Sequence, residues 1–353
     1  MDTAIIASTR PYIGKSGIAL ALIDTAKAAG KNVSYFKPYG TMPTTVGGVH
    51  TDLDAAYISR HIGSSVPLDI ICPVVESRAF IEDVVAGRIT DARFRVRAAY
   101  EALSDGVDLV VVEGPSDIFQ GRSIELSLSQ VAETLDARVL LLAAEDCLGL
   151  PDGVLGAADC LASRLAGVLF NDVALSGLDF VNGAVTPFLT TRGITVFGAI
   201  PHDTELSSVT VAEVADALSG TVLCAQEHVE RSAQSFMVGA MGQDKALRFF
   251  QRRPRKIVVT GGDRSDVQLA ALETDTRAIV LTGNLPPSPH VLARAEELGV
   301  PVILVGLDTL GAVERLEDLF GRMRIHDPVK AARIREMLAA AVDIDALLAA
   351  FES

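Results

Sequence analysis

The sequence predicts an α/β fold: a doubly wound parallel sheet over the first two thirds of the chain, followed by a second, smaller α/β domain. Three observations predict it. Short Val, Ile and Leu runs alternate with amphipathic stretches along the chain, the rhythm of βαβ units. The strand-like runs are apolar throughout, as strands covered by helices on both faces are. The 353 residues also exceed the roughly 250–300 at which a single core stops growing, so two domains are expected.

In order, the first domain reads as strand Thr3–Ala7, helix Gly14–Ala29, strand Val33–Phe36, helix Asp52–His61, helix Arg88–Ser104 and strand Leu109–Glu113. It continues through strand Arg138–Ala143, helix Leu150–Arg164 and strands Gly167–Phe170 and Thr195–Ile200. Between Glu205 and Met241 the pattern weakens into short polar pieces such as EHVERSAQS, which places the boundary near Ser219 and gives domains 1–219 and 220–353. The second series is helix Asp244–Gln251, strand Lys256–Thr260, helix Ser265–Glu273, strand Ala278–Leu281, helix Pro289–Leu298 and strand Val302–Val305. The tail from Pro328 reads as helical.

Composition narrows the function. With 49% hydrophobic residues, no Trp and few aromatics, the cores are built from Ala, Val, Leu and Ile. A net charge of −14 argues against a nucleic-acid-binding face, which needs clustered Lys and Arg. The basic run RRPRK, Arg252 to Lys256, reads as a solvated turn before a strand. Cys72, Cys147, Cys160 and Cys224 lie far apart without metal-ligand spacing, so they are expected to be reduced and mostly buried. No basic-plus-apolar leader opens the sequence, and no apolar run approaches the roughly 18 residues of a spanning helix. A cytoplasmic protein that meets neither membrane nor nucleic acid is expected.

The sharpest motif is STRPYIGKSG, Ser8 to Gly17, between a strand and a helix. A bound phosphate needs backbone N–H groups at a helix N-terminus, a glycine for close approach, a cation and a hydroxyl for Mg²⁺. Gly14, Lys15 and Ser16 supply the last three, with Lys15 aimed at the β- and γ-phosphates. The loop departs from G-x-x-x-x-G-K-[ST], since Thr9 replaces the first Gly and Pro11 stiffens it. DLVVVEGP, Asp108 to Pro115, ends an apolar strand in Glu113, where α/β sheets place their ligand crevice. YFKPYGT, Tyr35 to Thr41, brings Lys37 to the same end of the sheet. HTDLDAAYI, His50 to Ile58, opens a helix with Asp52 and Asp54; helix capping and metal binding both suit these carboxylates. His61, His202 and His326 have no partner at metal spacing.

Taken together, these motifs resemble dethiobiotin synthetase and related P-loop enzymes over residues 1 to about 205. The resemblance implies that Thr9, Ile13, Gly14, Lys15, Ser16 and Gly17 cradle ATP, that Ser16, Asp54 and Glu113 hold Mg²⁺, and that Lys15 and Lys37 serve catalysis, Lys37 by binding substrate. It further implies that Asn171, in GVLFND, recognises adenine and that Pro201, in AIPHD, lies beside the base. The second half resembles the DRTGG domain, with TGGDRSD (Thr260 to Asp266) in place of the name-giving motif and TGNLPPSP after the next strand. Gly261, Gly262, Asp263 and Arg264 then form either a second ligand site, for an anion, or a tight turn with Asp263 as helix cap.

This pair of domains is the N-terminal regulatory arrangement of long bacterial phosphotransacetylases, also found in stand-alone archaeal-type proteins. The resemblance implies an ATP- and Mg²⁺-binding regulatory protein that forms at least a homodimer and works with an acetyl-CoA-metabolising enzyme. Phosphotransacetylase activity by this chain alone is not expected, because no acyl-transfer domain follows the DRTGG-like part. Two alternatives stay open: an ATP-dependent ligase of the dethiobiotin synthetase type, and a scaffold with a vestigial loop.

Overall fold

The computed structural model describes residues 1–144, 150–320 and 327–352. It divides into two compact units, Met1–Asp203 with Arg324–Ser353, and Thr204–Met323.

Unit 1 carries a six-stranded sheet formed by β1 (Asp2–Ser8), β2 (Val33–Phe36), β3 (Leu109–Glu113), β4 (Arg138–Ala143), β5 (Leu165–Val173) and β6 (Val196–Pro201). Every pairing is parallel and the order is β6-β5-β4-β1-β3-β2. From β1 the chain crosses to the edge strand β2, returns to β3 beside β1, and then passes to the other side through β4, β5 and β6, so the crevice beyond the carboxyl end of β1 lies at a topological switch point. Runs such as Leu109–Val112 and Val139–Leu142 are wholly buried because helices cover both faces. Helix α1 (Lys15–Ala28) is buried nearly all round, through Ile18, Leu20, Leu22 and Ile23. An apolar circumference of this kind belongs to a core helix. It packs against β1, β2 and β3 on one side and against the helix Pro328–Ala341 on the other.

Unit 2 carries a five-stranded sheet ordered β7-β11-β10-β9-β8, from Thr221–Cys224 (β7), Ser235–Val238 (β8), Lys256–Gly261 (β9), Thr276–Thr282 (β10) and Val302–Leu304 (β11). Only β7 runs antiparallel among these. Ile257, Val259, Ala278 and Val280 face one core with helices Val211–Ala217 and Thr309–Phe320. Val258, Ile279 and Leu281 face the other, with Phe250, Val267, Ala271, Val291 and Ala295. The two-residue alternation along each strand thereby divides two apolar layers.

The division differs from the expected 1–219 and 220–353 at both ends. Residues after Asp203 join the second unit because Val209–Thr210 pairs with Ser232–Ala233 and helix Val211–Ala217 lies in the core of that unit. The helical tail returns to unit 1 and buries Ala331, Ile334 and Leu338, spaced as one helix face. Two expectations about single residues also change. Cys160 is exposed, Cys224 half-buried and Cys72 buried, all three as free thiols, while Cys147 and His326 lie outside the described residues. In the basic run only Lys256 turns inward, where its Nζ donates to Thr274 Oγ1 and the Asp275 carbonyl at 2.8 and 3.1 Å.

Gly198 in β6 has φ 154°, a conformation L-residues avoid, and a Cβ there would run into the Ala341 carbonyl. Gly198→Ala is expected to cost unit 1 about 1–3 kcal/mol. An unchanged midpoint in urea unfolding followed by circular dichroism would show that this approach is not tight.

Candidate functional site

The loop after β1 is held from three sides. The Thr9 amide donates to the Leu142 carbonyl of β4 (3.1 Å), and Asn171 at the end of β5 donates from Nδ2 to the Ile13 carbonyl (2.8 Å). Ser8 is fully buried; its hydroxyl donates to the carbonyls of Arg10 and Ser116 (2.8 and 3.1 Å). Gly14 caps α1 with φ 84°, a left-handed geometry that glycine adopts without a Cβ penalty. The first N–H groups of α1 have no intrahelical partner and face the crevice.

Lys15 lies almost buried and folds back, donating from Nζ to Ser8 Oγ (2.9 Å) and the Ser116 carbonyl (3.2 Å). Burial lowers its pKa to about 8, with the Glu113 carboxylate opposing the shift and the Lys37 ammonium adding to it. Ser16 Oγ stands 2.9 Å from Asp54 Oδ2 and 3.0 Å from Glu113 Oε1. The fold thus joins three residues that lie far apart in sequence: the second residue of α1, the second residue of α2 (Leu53–His61) and the last residue of β3.

Lys37 lies at the centre of the acidic residues. Its buried Nζ is 2.8 Å from Asp52 Oδ1, 3.0 Å from Glu113 Oε1 and 3.6 Å from Asp54 Oδ2. Burial alone would lower its pKa, but the charges of Glu113, Asp54 and Asp52 outweigh this and raise it well above the ordinary lysine value. Tyr35, two residues earlier and so on the same face of the extended chain, donates from its hydroxyl to Glu113 Oε2 (2.8 Å). Burial and then the Glu113 charge push that hydroxyl well above the usual tyrosine range, so it remains a donor.

Asp52 is the N-cap of α2 and fully buried. Besides Lys37, its carboxylate accepts from the amides of Asp54 and Ala55 (2.9 and 3.2 Å) and of Thr41 and Met42 (both 2.9 Å). A methyl at Gly40 would come within 2.6 Å of Asp52 Cβ and 2.8 Å of Cys72 Sγ, so that turn closes only on a glycine.

The loop after β3 extends the polar wall. Gln120 Oε1 accepts from the Ser116 amide (2.6 Å), and its Nε2 donates to Glu76 Oε2 (3.4 Å), which also accepts from the Tyr39 hydroxyl (2.7 Å). Sequence reasoning placed Ser8 and Tyr35 within its motifs without giving either a role, and missed Glu76, Ser116 and Gln120. Ser8 carried a signal in opening the loop motif, and Tyr35 in its two-residue offset from Lys37.

The remaining sequence-predicted residues divide. Asn171 is buried beside the loop with Nδ2 taken by Ile13, while its Oδ1 has no hydrogen-bond partner among the described residues. Pro201 ends β6 in register with Val173; the next residue, His202, lies 2.6 Å through Nδ1 from Asp172 Oδ1. Around TGGDR the two glycines are closely packed. A Cβ on Gly262 would run into the Leu285 carbonyl, and Gln268 Nε2 donates to the carbonyls of Gly261 and Gly262 (2.8 and 3.0 Å). The helix cap is Arg264 rather than Asp263. The Arg264 guanidinium donates to the Met241 carbonyl (3.0 Å) and to Asp266 (3.3 Å).

Strand order, the Gly14-capped helix with Lys15 and Ser16, and the acidic strand end define a P-loop nucleoside-triphosphatase-like core. The chain belongs to the AAA domain family, whose model matches residues 2–210, and a DRTGG domain model matches residues 213–319. It is 25% identical over 371 residues to a phosphate acetyltransferase of Pseudomonas aeruginosa, covering 98% of this chain and 51% of that protein. It is 24% identical over 357 residues to a phosphate acetyltransferase of Nitrosomonas europaea, covering 96% and 50%. The chain therefore spans about half the length of these relatives. Among solved structures, the MinD cell division protein of Aquifex aeolicus aligns with 58% of this chain and 84% of its own, at 15% identity and TM-score 0.37. No helix of the described residues is long and apolar enough to cross a membrane.

Lys37→Met removes the ammonium that Asp52, Asp54 and Glu113 share. Removing one partner of a buried ion pair costs about 3–5 kcal/mol, and that loss is expected at neutral pH. In wild type, Lys37 is raised above its unfolded value, so its stabilisation is fully present below about pH 10.5 and is lost only at higher pH. Urea unfolding of both proteins across this range checks the sign. A variant equally destabilised at every pH would contradict the electrostatic account.

Proposed function

We propose that unit 1 binds Mg-ATP and that the chain is a regulatory nucleotide-binding module related to part of phosphate acetyltransferase. The observation that carries this reading is the convergence of the Ser16 hydroxyl with Asp54 and Glu113 at 2.9 and 3.0 Å. Among the described residues no three His, Cys, Asp or Glu side chains form a metal cage. One hydroxyl and two carboxylates are instead the partial set of hard oxygen ligands that Mg²⁺ completes with water and phosphate. Ser16, Asp54 and Glu113 would hold the ion, which supplies charge neutralisation on the phosphate oxygens when bound.

Under this reading the amides at the start of α1, with Thr9, Ile13, Gly14 and Gly17, surround the phosphates, and Lys15 turns from Ser8 towards them. Asn171 keeps Nδ2 on Ile13, so Oδ1 is the atom left to accept from an adenine amino group, with Pro201 alongside. Nucleotide occupancy would then be communicated to unit 2 or to an acetyl-CoA-metabolising partner, through states that bind ATP with different affinity. A homodimer, as the family resemblance implies, belongs to the same proposal.

A second reading is favoured by one observation, the retention of a buried Lys37 ammonium beside Glu113. In an ATP-dependent ligase of the dethiobiotin synthetase type, Lys37 and Lys15 would position an activated carboxylate or carbamate and stabilise charge that develops on it.

Calorimetric titration with ATP tests the shared core of both readings. Lys15→Ala is expected to weaken binding on the order of 10- to 100-fold. Phosphate favours the ammonium form of Lys15, so wild-type affinity should fall as pH rises above about 8, and the variant should lack that dependence. Wild-type protein that takes up no nucleotide at millimolar concentration would refute both readings and leave a scaffold. Phosphate release from bound ATP on adding a substrate would favour the ligase.

A further inference from the structure

The helix Pro328–Ala341 follows unit 2 in the sequence yet completes unit 1. It lies along α1, the helix that carries Lys15 and Ser16, and against β6. Beyond it Val342, Leu347, Leu348 and Phe351 are buried as well, so this segment is part of the core. Gly198 is the point at which β6 admits the end of the helix. At the other end, Arg333 Nε and Nη2 both lie 3.0 Å from Asp203 Oδ2. Asp203 is nearly buried and Arg333 half-exposed. Asp203 lies two residues after Pro201, and the preceding His202 amide is held by the Val173 carbonyl (2.7 Å).

We propose that Arg333 is a positioning residue for nucleotide binding: through Asp203 it fixes the Pro201–Asp203 loop against β5, beside Asn171. The inference rests on the ATP reading above. The two sequence connections of unit 2 leave unit 1 just after Asp203 and enter it just before Pro328. The Arg333–Asp203 pair therefore ties the loop at the first connection to the helix at the second. A base held by this loop is held by the same ion pair.

The test uses the full chain and Arg333→Gln, with Arg333→Lys as the charge-retaining control. Three quantities are measured: ATP affinity, inorganic tripolyphosphate affinity, and amide hydrogen exchange of residues 199–204 without ligand. Expected for Arg333→Gln are ATP binding weaker by about three- to fivefold, the scale of a part-exposed ion pair, unchanged tripolyphosphate binding, and faster exchange confined to the loop. Arg333→Lys should recover most of the ATP affinity. Equal loss for ATP and tripolyphosphate would assign Arg333 a general structural role and overturn the proposal, as would exchange and ATP affinity that match wild type. Wild-type chain that binds tripolyphosphate but shows no preference for ATP would overturn the nucleotide reading itself, and the proposal with it.

Discussion

The site depends on one electrostatic arrangement, the Lys37 ammonium held among two buried carboxylates, Asp52 and Glu113, and a third, Asp54, that is partly exposed. Lys37 reaches Asp52, Glu113 and Asp54, which come from the start of α2 and the end of β3. Charges so far from water are tolerated only when paired and hydrogen-bonded. Asp52 meets that requirement with four backbone amides and Glu113 with Tyr35 and Ser16. The geometry of the crevice follows, because moving any one of these elements would strand a buried charge. The same arrangement holds the Asp54 and Glu113 oxygens beside Ser16, so the hydroxyl and carboxylates are organised before any ligand arrives. Preorganisation of this kind lowers the cost of binding.

Much of this was legible because parallel strands announce themselves. Val33–Phe36, Leu109–Glu113 and Arg138–Ala143 occur as read from the sequence, since each is a short, largely apolar run set between more polar stretches. The loop at Ser8–Ser16 was legible because Gly, Lys and a hydroxyl at fixed spacing between strand and helix serve few purposes besides phosphate. Asp52 and Asp54 carried two readings, and the structure uses them differently. Asp52 caps the helix, while Asp54, two residues on, faces Ser16.

What escaped the sequence is non-local. Glu76 and Gln120 meet across 44 positions and Tyr35 and Glu113 across 78, and no periodicity links such pairs. β7 and β8 are short and only partly buried, so their apolar signal is diluted among polar neighbours. The destination of the C-terminal helix was equally hidden. Its periodicity says that one face is buried, but the partner is set by the all-round apolar surface of α1 and by the space left at Gly198.

The central claim is that Ser16, Asp54 and Glu113 form a metal seat that works with a bound nucleotide. The most direct measurement is electron paramagnetic resonance of Mn²⁺ in place of Mg²⁺, titrated into wild-type protein and Glu113→Gln with and without ATP. The account predicts that ATP causes the wild-type chain to immobilise Mn²⁺ and that the variant, still folded, leaves the spectrum of Mn-ATP in solution largely unchanged. Equal immobilisation by both proteins, or none by wild type, would contradict it.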